Sequence, residues 1–428
     1  TLPDLHGFMQ FQLRVAGSGL GGGDAIVVNH GKITTNGANA YGILAETRGA
    51  EGPHGRDGSI SHSAGGGGPG QNGGTVHVTA GGEIHTTGEG SVGVLALSQG
   101  GLGGHGGEGG TWRYGQPGGP GGRGGNVVVD GDGEIHTTGT NASGILAVSI
   151  GGYAGDGGSG SFVTGGAAGG LGGASGEVHV TGTWNIDTTG TAAYGIWAKS
   201  TGGNAGSGGS GGWPWGDNGS VGPGSDGGNV SVESGGWITT SGDAAHSVHA
   251  QSVGGFGGNG GGGFSLFYSA GGSGASAGSG GNVAVTQTAT GRIVTSGVGA
   301  HGILAQSVGG GGGSGGDTGG LVAVGGDSGQ GGHGGEVTVT NAGRIYTGVA
   351  DRYEVNTVVG AYGIFAQSVG GRGGDGGAAA GAAGIGGSGA GGGHGSRVVV
   401  QNLASGEIVA AGAGSMGIFA QSVGGGGG

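Results

Sequence analysis

Residues 300–308 read "AHGILAQSV" and run straight into "GGGGGSGGD" at 309–317. The same phrase returns as "AYGIFAQSV" at 361–369 and "SMGIFAQSV" at 415–423, and more loosely as "AYGIWAKST" at 193–201 and "AYGILAETR" at 40–48. A short apolar phrase that recurs and each time dissolves into glycine is the mark of a repeat architecture, so the period comes before any single motif.

Working outward, a second phrase, "GEIHTTG", precedes the first. Its isoleucines are Ile33, Ile84, Ile135, Ile186, Ile238, Ile293, Ile345 and Ile408, at steps of 51, 51, 51, 52, 55, 52 and 63 residues by subtraction. A V-x-V pair opens each copy, as at Val76/Val78, Val127/Val129, Val178/Val180, Val230/Val232 and Val337/Val339. A spacing of two puts both valines on one face of a strand. Two residues past the isoleucine stands a near-constant threonine (Thr86, Thr137, Thr188), while the position between them varies (His85, His136, Asp187). The constant column therefore faces inward, where its hydroxyls are expected to bond from copy to copy, and the varied one faces out. In the third strand Ile303, Ala305 and Ser307 mark inward columns, and Leu304, Phe365 and Trp197 an apolar outward column that needs a cover.

Three short strands per copy, with no 3.6 period anywhere, predict an all-β solenoid of about eight turns stacked about 4.8 Å apart, with the right-handed coil usual for parallel connections. The copies divide the chain into the back half of a preceding repeat (1–23), seven repeats (24–74, 75–125, 126–176, 177–228, 229–281, 282–335 and 336–395) and a partial eighth (396–428), a window on a longer array. One coil buries about four aliphatic side chains, worth roughly 6–12 kcal/mol. Ordering its fifty-odd residues costs on the order of 50 kcal/mol or more. Stacking has to stabilise it.

Glycine supplies 138 of 428 residues and proline only 7, so a Gly-X-Y collagen register is excluded. The interruptions in the glycine runs fall three apart: Leu102, His105 and Glu108 going out, Pro117, Pro120 and Arg123 coming back. A flexible linker has no reason to keep that step, whereas a polyproline-II helix has three residues per turn and no internal hydrogen bonds. Its backbone groups must then find partners sideways. The runs are expected to be paired arms, forming a second layer laid against the Leu/Trp/Phe face.

The chain carries 25 acidic against 12 basic side chains, a net charge of −13 with no basic cluster, which argues against nucleic acid and anionic membrane surfaces. There is no cysteine, hence no disulfide or thiolate site. No stretch has the roughly 20 apolar residues of a membrane helix. The opening "TLPDLHGFMQFQLRV" does not read as a signal peptide, so membrane association is expected only through an anchor outside this segment. No cofactor or metal pattern stands out: His85 and His136 share a column but the next copies give Asp187 and Thr239, and Asp156, Asp317 and Asp375 are isolated. Glu83 and Glu134 are followed by Asn185 and Trp237, so no column gathers the carboxylates of a polysaccharide-degrading β-helix enzyme. An ice-binding surface would need an outward threonine array, and the constant threonines face in.

The pairing of "GIFAQSVGGGGG" with "GEIHTTG" resembles repeats in the passenger regions of large Gram-negative, alphaproteobacterial-type autotransporters, over nearly the whole chain. The resemblance implies export to the cell surface, a β-solenoid passenger and an adhesive or matrix role. The expectation is a non-enzymatic extracellular stalk or filament, partnered by its own kind. The alternative is an adhesin module that stacks cell-surface or matrix polysaccharide on aromatic arm tips. Its candidate contacts are Trp112, Tyr114, Trp213, Trp215, Phe264, Phe267 and Tyr268.

Overall fold

A computed structural model of the chain describes residues 12–16, 21–161, 164–212, 215–351, 354–355 and 360–428. The V-x-V strands (Val76–Ala80 is representative) form one parallel sheet of eight, and the second strands (Glu83–Thr87) form another of eight. The third strands (Val94–Gln99) form a parallel sheet of nine, which begins with Gln12–Ala16. Like pairs with like from coil to coil: Val76 with Val127, Ile84 with Ile135, Ala96 with Ala147. The chain is a three-sided β-solenoid, and no helix occurs among the described residues.

Identical columns meet inside. The paired valines, the isoleucines of the second strand and the Ile/Val–Ala pair of the third are all buried in one apolar cluster. Trp184 is its largest member, and its indole N–H donates to the Ala80 carbonyl two coils back at 3.1 Å. Glycines at 131 and 182 leave room for that ring, since a Cβ on Gly182 would lie 2.8 Å from it.

The buried threonines bond differently from expectation. Thr86, Thr188 and Thr295 donate to the carbonyls of Ser91, Ala193 and Ala300, five residues on in the same coil. They close the turn between second and third strands rather than linking copies. The serines of the third strand link the copies. Ser149 Oγ donates to Gly125 O at 2.9 Å and accepts from Gly176 N at 2.8 Å, and Ser200, Ser252 and Ser307 repeat the clamp.

The glycine runs are ordered arms with the expected period. In the outgoing run Gly100, Gly103 and Gly106 donate to the next coil's outgoing run, at Ile150 O, Tyr153 O and Asp156 O. Gly101, Gly104 and Gly107 donate to the preceding return run, at Gln71 O, Gly68 O and Gly65 O. The third residue of each triplet carries the side chain, and where that side chain is an acceptor it caps its neighbour. Asp156 N donates to His105 Nδ1, Ser207 N to Asp156 Oδ1 and Phe256 N to Asn204 Oδ1. Three residues per turn thus give three bonding directions, and the Asp, Asn, Ser and His of the arms are there as acceptors. A Cβ on Gly104 would stand 2.0 Å from Pro53 O, so only glycine permits the approach.

The arms do not lie over the Leu/Trp/Phe face. Outgoing and returning runs continue the third and first sheets beyond their shared corner, and the atoms nearest the arm glycines are other arm residues and the clamp serines. With about ten residues each way at about 3.1 Å rise, an arm reaches about 30 Å, comparable to the eight-rung stack itself. The molecule is a slab rather than a thin rod.

Candidate binding surfaces

Two surfaces carry exposed or chemically unusual side chains. The first is the arm tips. Trp215–Asp217, Tyr268–Ala270, Thr318–Val324 and Ala379–Ile385 pair in parallel as a small additional sheet, with Trp215 opposite Tyr268 and Tyr268 opposite Val322. Phe264, 64% exposed, ends the short strand Gly263–Phe264, which pairs with Thr318–Val324. Phe267 and Tyr268 are exposed beside it. Trp112 and Tyr114 belong to an earlier tip; Tyr114 is 65% exposed and its ring edge lies 3.6 Å from where a Cβ on Gly165 of the next coil would be. Trp213 lies outside the described residues. The candidates therefore form two groups on the outer rim, one around Phe264–Tyr268 and one around Trp112–Tyr114.

The second surface is a ring ladder at the corner where the second sheet passes into the third. The residue before each "GI" forms a column: Tyr194, His246, His301 and Tyr362 stack at 5.4, 4.7 and 4.9 Å between successive centroids. Beside it Trp197 and His249 lie parallel at 5.6 Å, and each column meets the other edge-on, Tyr194 with Trp197 and Tyr362 with Phe365. This ladder, not the arms, flanks the outward Leu/Trp/Phe column. The amide of His301 donates to His246 Nδ1 at 3.0 Å and that of Tyr362 to His301 Nδ1 at 3.1 Å. An Nδ1 that accepts an N–H is unprotonated, so both rings are neutral and carry their proton on Nε2.

Burial reinforces that state. It pushes the His246 pKa down to about 3, with His301 and His249 adding repulsion, and that of His301 down to about 4. His249 falls to about 4 through burial and then the nearby Lys199. The ladder escapes a reading of constant columns because its chemistry changes from coil to coil (Tyr41, Val92, Ser143, Tyr194, His246); the legible signal was a ring at one register in four consecutive copies.

The outward histidines of the second sheet behave as surface groups. His85 and His136 lie 4.7 Å apart, His85 Nε2 is 2.6 Å from Glu83 and His136 is 3.9 Å from Asp187. A hydrogen bond from Lys32 holds the Glu83 carboxyl below its usual range. Among the described residues no group of three or more His, Asp or Glu is placed to hold a metal. Val294, by its column a surface residue, is buried with Tyr346 against Val409 and Ala411. The antiparallel pair Val349–Asp351 and Glu354–Val355, part of the insertion behind the 63-residue step, lies alongside Arg292–Thr295.

These features define a class: a glycine-armed parallel β-solenoid whose polar side chains serve mainly to tie one coil to the next. No protein-family model matches the chain, and no curated protein matches it. Among solved structures, a springtail antifreeze protein from Granisotoma rainieri, a nine polyproline type II helical bundle whose crystal waters match the ice lattice, is 26% identical to this chain. The match covers 38% of this chain and 90% of that one at a TM-score of 0.07, too low to carry a likeness of fold.

Proposed function

We propose that the chain is a non-enzymatic structural repeat working outside the cell, a stiff element of a surface stalk or filament that contributes to adhesion or matrix. The observation that carries this reading is where the polar groups go. Clamp serines, arm acceptors and ladder histidines all receive or donate coil-to-coil bonds, as at Ser149, Asp156 and His246. Such a design builds rigidity along the stack, and the coil-to-coil variation is displaced to tips and outward columns. Side-chain-poor arms whose glycines are cross-bonded on two sides also offer few local openings to a protease. The resemblance to autotransporter passenger repeats points the same way, toward the bacterial surface.

The exposed rings at Tyr114 and Phe264 favour one second reading, an adhesin module that stacks sugar faces on the tips. Imaging native cells with and without the gene tests the main proposal. Surface fibres lost on deletion support it; soluble cytosolic protein that turns over a substrate overturns it. A tip variant, Tyr114→Ala with Phe264→Ala, separates the readings: fibres remain in both, and glycan attachment is lost only if the tips bind.

A further inference from the structure

The outward side of the third sheet is a flat, ruled surface with three columns of side chains. Leu304 and Phe365 represent the first, Gln306 and Gln367 the second, Val308 and Val369 the third, all half-buried and in strict register. The glutamines form a ladder: Gln251 Nε2 donates to Gln306 Oε1 at 2.8 Å, Gln306 to Gln367 at 2.7 Å and Gln367 to Gln421 at 2.8 Å. An amide has two N–H groups and two lone pairs, and the ladder uses one of each at Gln306 and Gln367. Nearby, Trp197 Nε1 and both ring nitrogens of His249 are covered and have no hydrogen-bond partner.

We propose that this face pairs with the same face of a second copy, axes parallel, glutamine stripe against glutamine stripe. A two-fold axis along the stripe then sets the Leu/Trp/Phe column on the partner's third column, which is valine from Val253 to Val423 and Arg48, Gln99, Ile150 and Thr201 before it. Three observations select a second copy as the occupant. Over the four coils from Gln251 to Gln421 the unused amide groups repeat once per coil, at about 4.8 Å, a spacing that another stacked ladder matches rung for rung; in the four coils before them the column holds Glu46, Leu97, Val148 and Lys199. From Ile43 to Val423 the only charges on the face are the paired Glu46 and Arg48, and Lys199. The area also suffices: seven steps of about 4.8 Å by six residues of about 3.3 Å give about 670 Å² per partner, inside the range of stable interfaces. Among the rungs that are not glutamine, Leu97 and Val148 are apolar and Glu46 is paired with Arg48, so Lys199 is the discordant one, facing its own copy across the axis. It stands in register with Gln251, and burial already lowers its pKa.

This pairing deepens the fibre reading and rests on it for its purpose, but its test uses the purified chain, so the two can fail separately. Sedimentation velocity across the micromolar range should show a monomer–dimer equilibrium. Lys199→Gln should tighten it about tenfold by removing the like pair, and Gln306→Lys should weaken it about tenfold or more. The chain has no cysteine, so Gln306→Cys under copper–phenanthroline oxidation should give a covalent dimer, while Thr338→Cys on the outward face of the first sheet should not. Circular dichroism melts check that each variant folds, and Gln367→Cys repeats the cross-link one rung along. A chain that stays monomeric, or equal cross-linking of Gln306→Cys and Thr338→Cys, overturns the proposal.

Discussion

At the residue scale, one column shows how backbone conformation is written into the repeat. The turn after the second strand requires a left-handed residue in every copy: Asn39 (φ 55°), Gly90 (68°), Asn141 (58°), Ala192 (53°), Ala244 (53°), Gly299 (64°), Gly360 (72°) and Gly414 (72°). Asparagine and glycine adopt that region readily, whereas alanine costs about 1–2 kcal/mol there. Ala192→Gly and Ala244→Gly should therefore stabilise, by about 0.5–1 kcal/mol each once the greater freedom of unfolded glycine is subtracted; a fall in melting temperature would contradict this. The clamp column gives the opposite case. Ser307→Ala strands Gly281 O and Gly335 N and should cost about 1–3 kcal/mol. Ser307→Thr keeps the hydroxyl and should be tolerated better, because Thr47 is buried in the same column, where its hydroxyl donates across to the next coil at Gly74 O, 2.8 Å away. Ile303→Asp puts an unpaired charge among fully buried aliphatic neighbours and should unfold several coils. Val294→Asp, which the column pattern alone marks as mild, should also be severe because Val294 is buried against Tyr346.

At the scale of elements, the ring ladder and the arms each carry a prediction. His246, His249 and His301 have folded pKa values of about 3, 4 and 4 against an ordinary 6.5, so the unfolded chain takes up protons that the folded ladder refuses. Their stabilisation is whole above about pH 6.5 and is lost as pH falls toward 4, at up to about 1.4 kcal/mol per pH unit for each ring. Thermal melts from pH 7 to 4 should show the decline, and the double variant His246→Tyr, His301→Tyr, which follows the column's own usage, should reduce it to the part that His249 carries. In the arms, a side chain on Gly107 would lie 2.1 Å from Arg56 O, while His105 is exposed. Gly107→Val should disrupt local amide protection by hydrogen exchange; His105→Val should lose little beyond its one bond to Asp156 N. Much of this was legible beforehand. The V-x-V, isoleucine and serine columns are constant because each meets its own kind, and the step of three in the arms reports three bonding directions. The course of the arms and the His/Tyr ladder were not, because both depend on which unlike residues become neighbours once stacked. Val294 shows the same limit: its burial accompanies an insertion more than fifty residues downstream.

At the scale of the whole molecule, stability is a sum over interfaces between adjacent coils, so the unit that can be removed without harm is a whole coil. Each strand of the three main sheets pairs only with its equivalents one coil before and after, and the outgoing run bonds the return run that precedes it. Deleting residues 178–229 joins Glu177 to Val230. Val230 is the register partner of Val178, so the next coil lands where the deleted one stood, valine on Val127 and isoleucine on Ile135. The αL turn and clamp serine are likewise replaced by their equivalents, Ala244 and Ser252. The shortened chain should fold with unchanged ellipticity per residue and lose about 4.8 Å of stack length by small-angle scattering. Deleting only 178–212 removes three strands and the outgoing run but leaves the return arm of that coil without its mate, since Ser225 N donates to Gly203 O and Gly219 N to Gly209 O across the hairpin. It also faces the V-x-V strand at 230 with no third-strand serine at 200 to bridge Gly176 and Gly228. That variant should melt in two separated transitions, one for the coils on each side of the gap, or aggregate. If the whole-coil deletion behaves like the partial one, the stack is not modular, and the account of stability as repeated nearest-neighbour contacts is wrong.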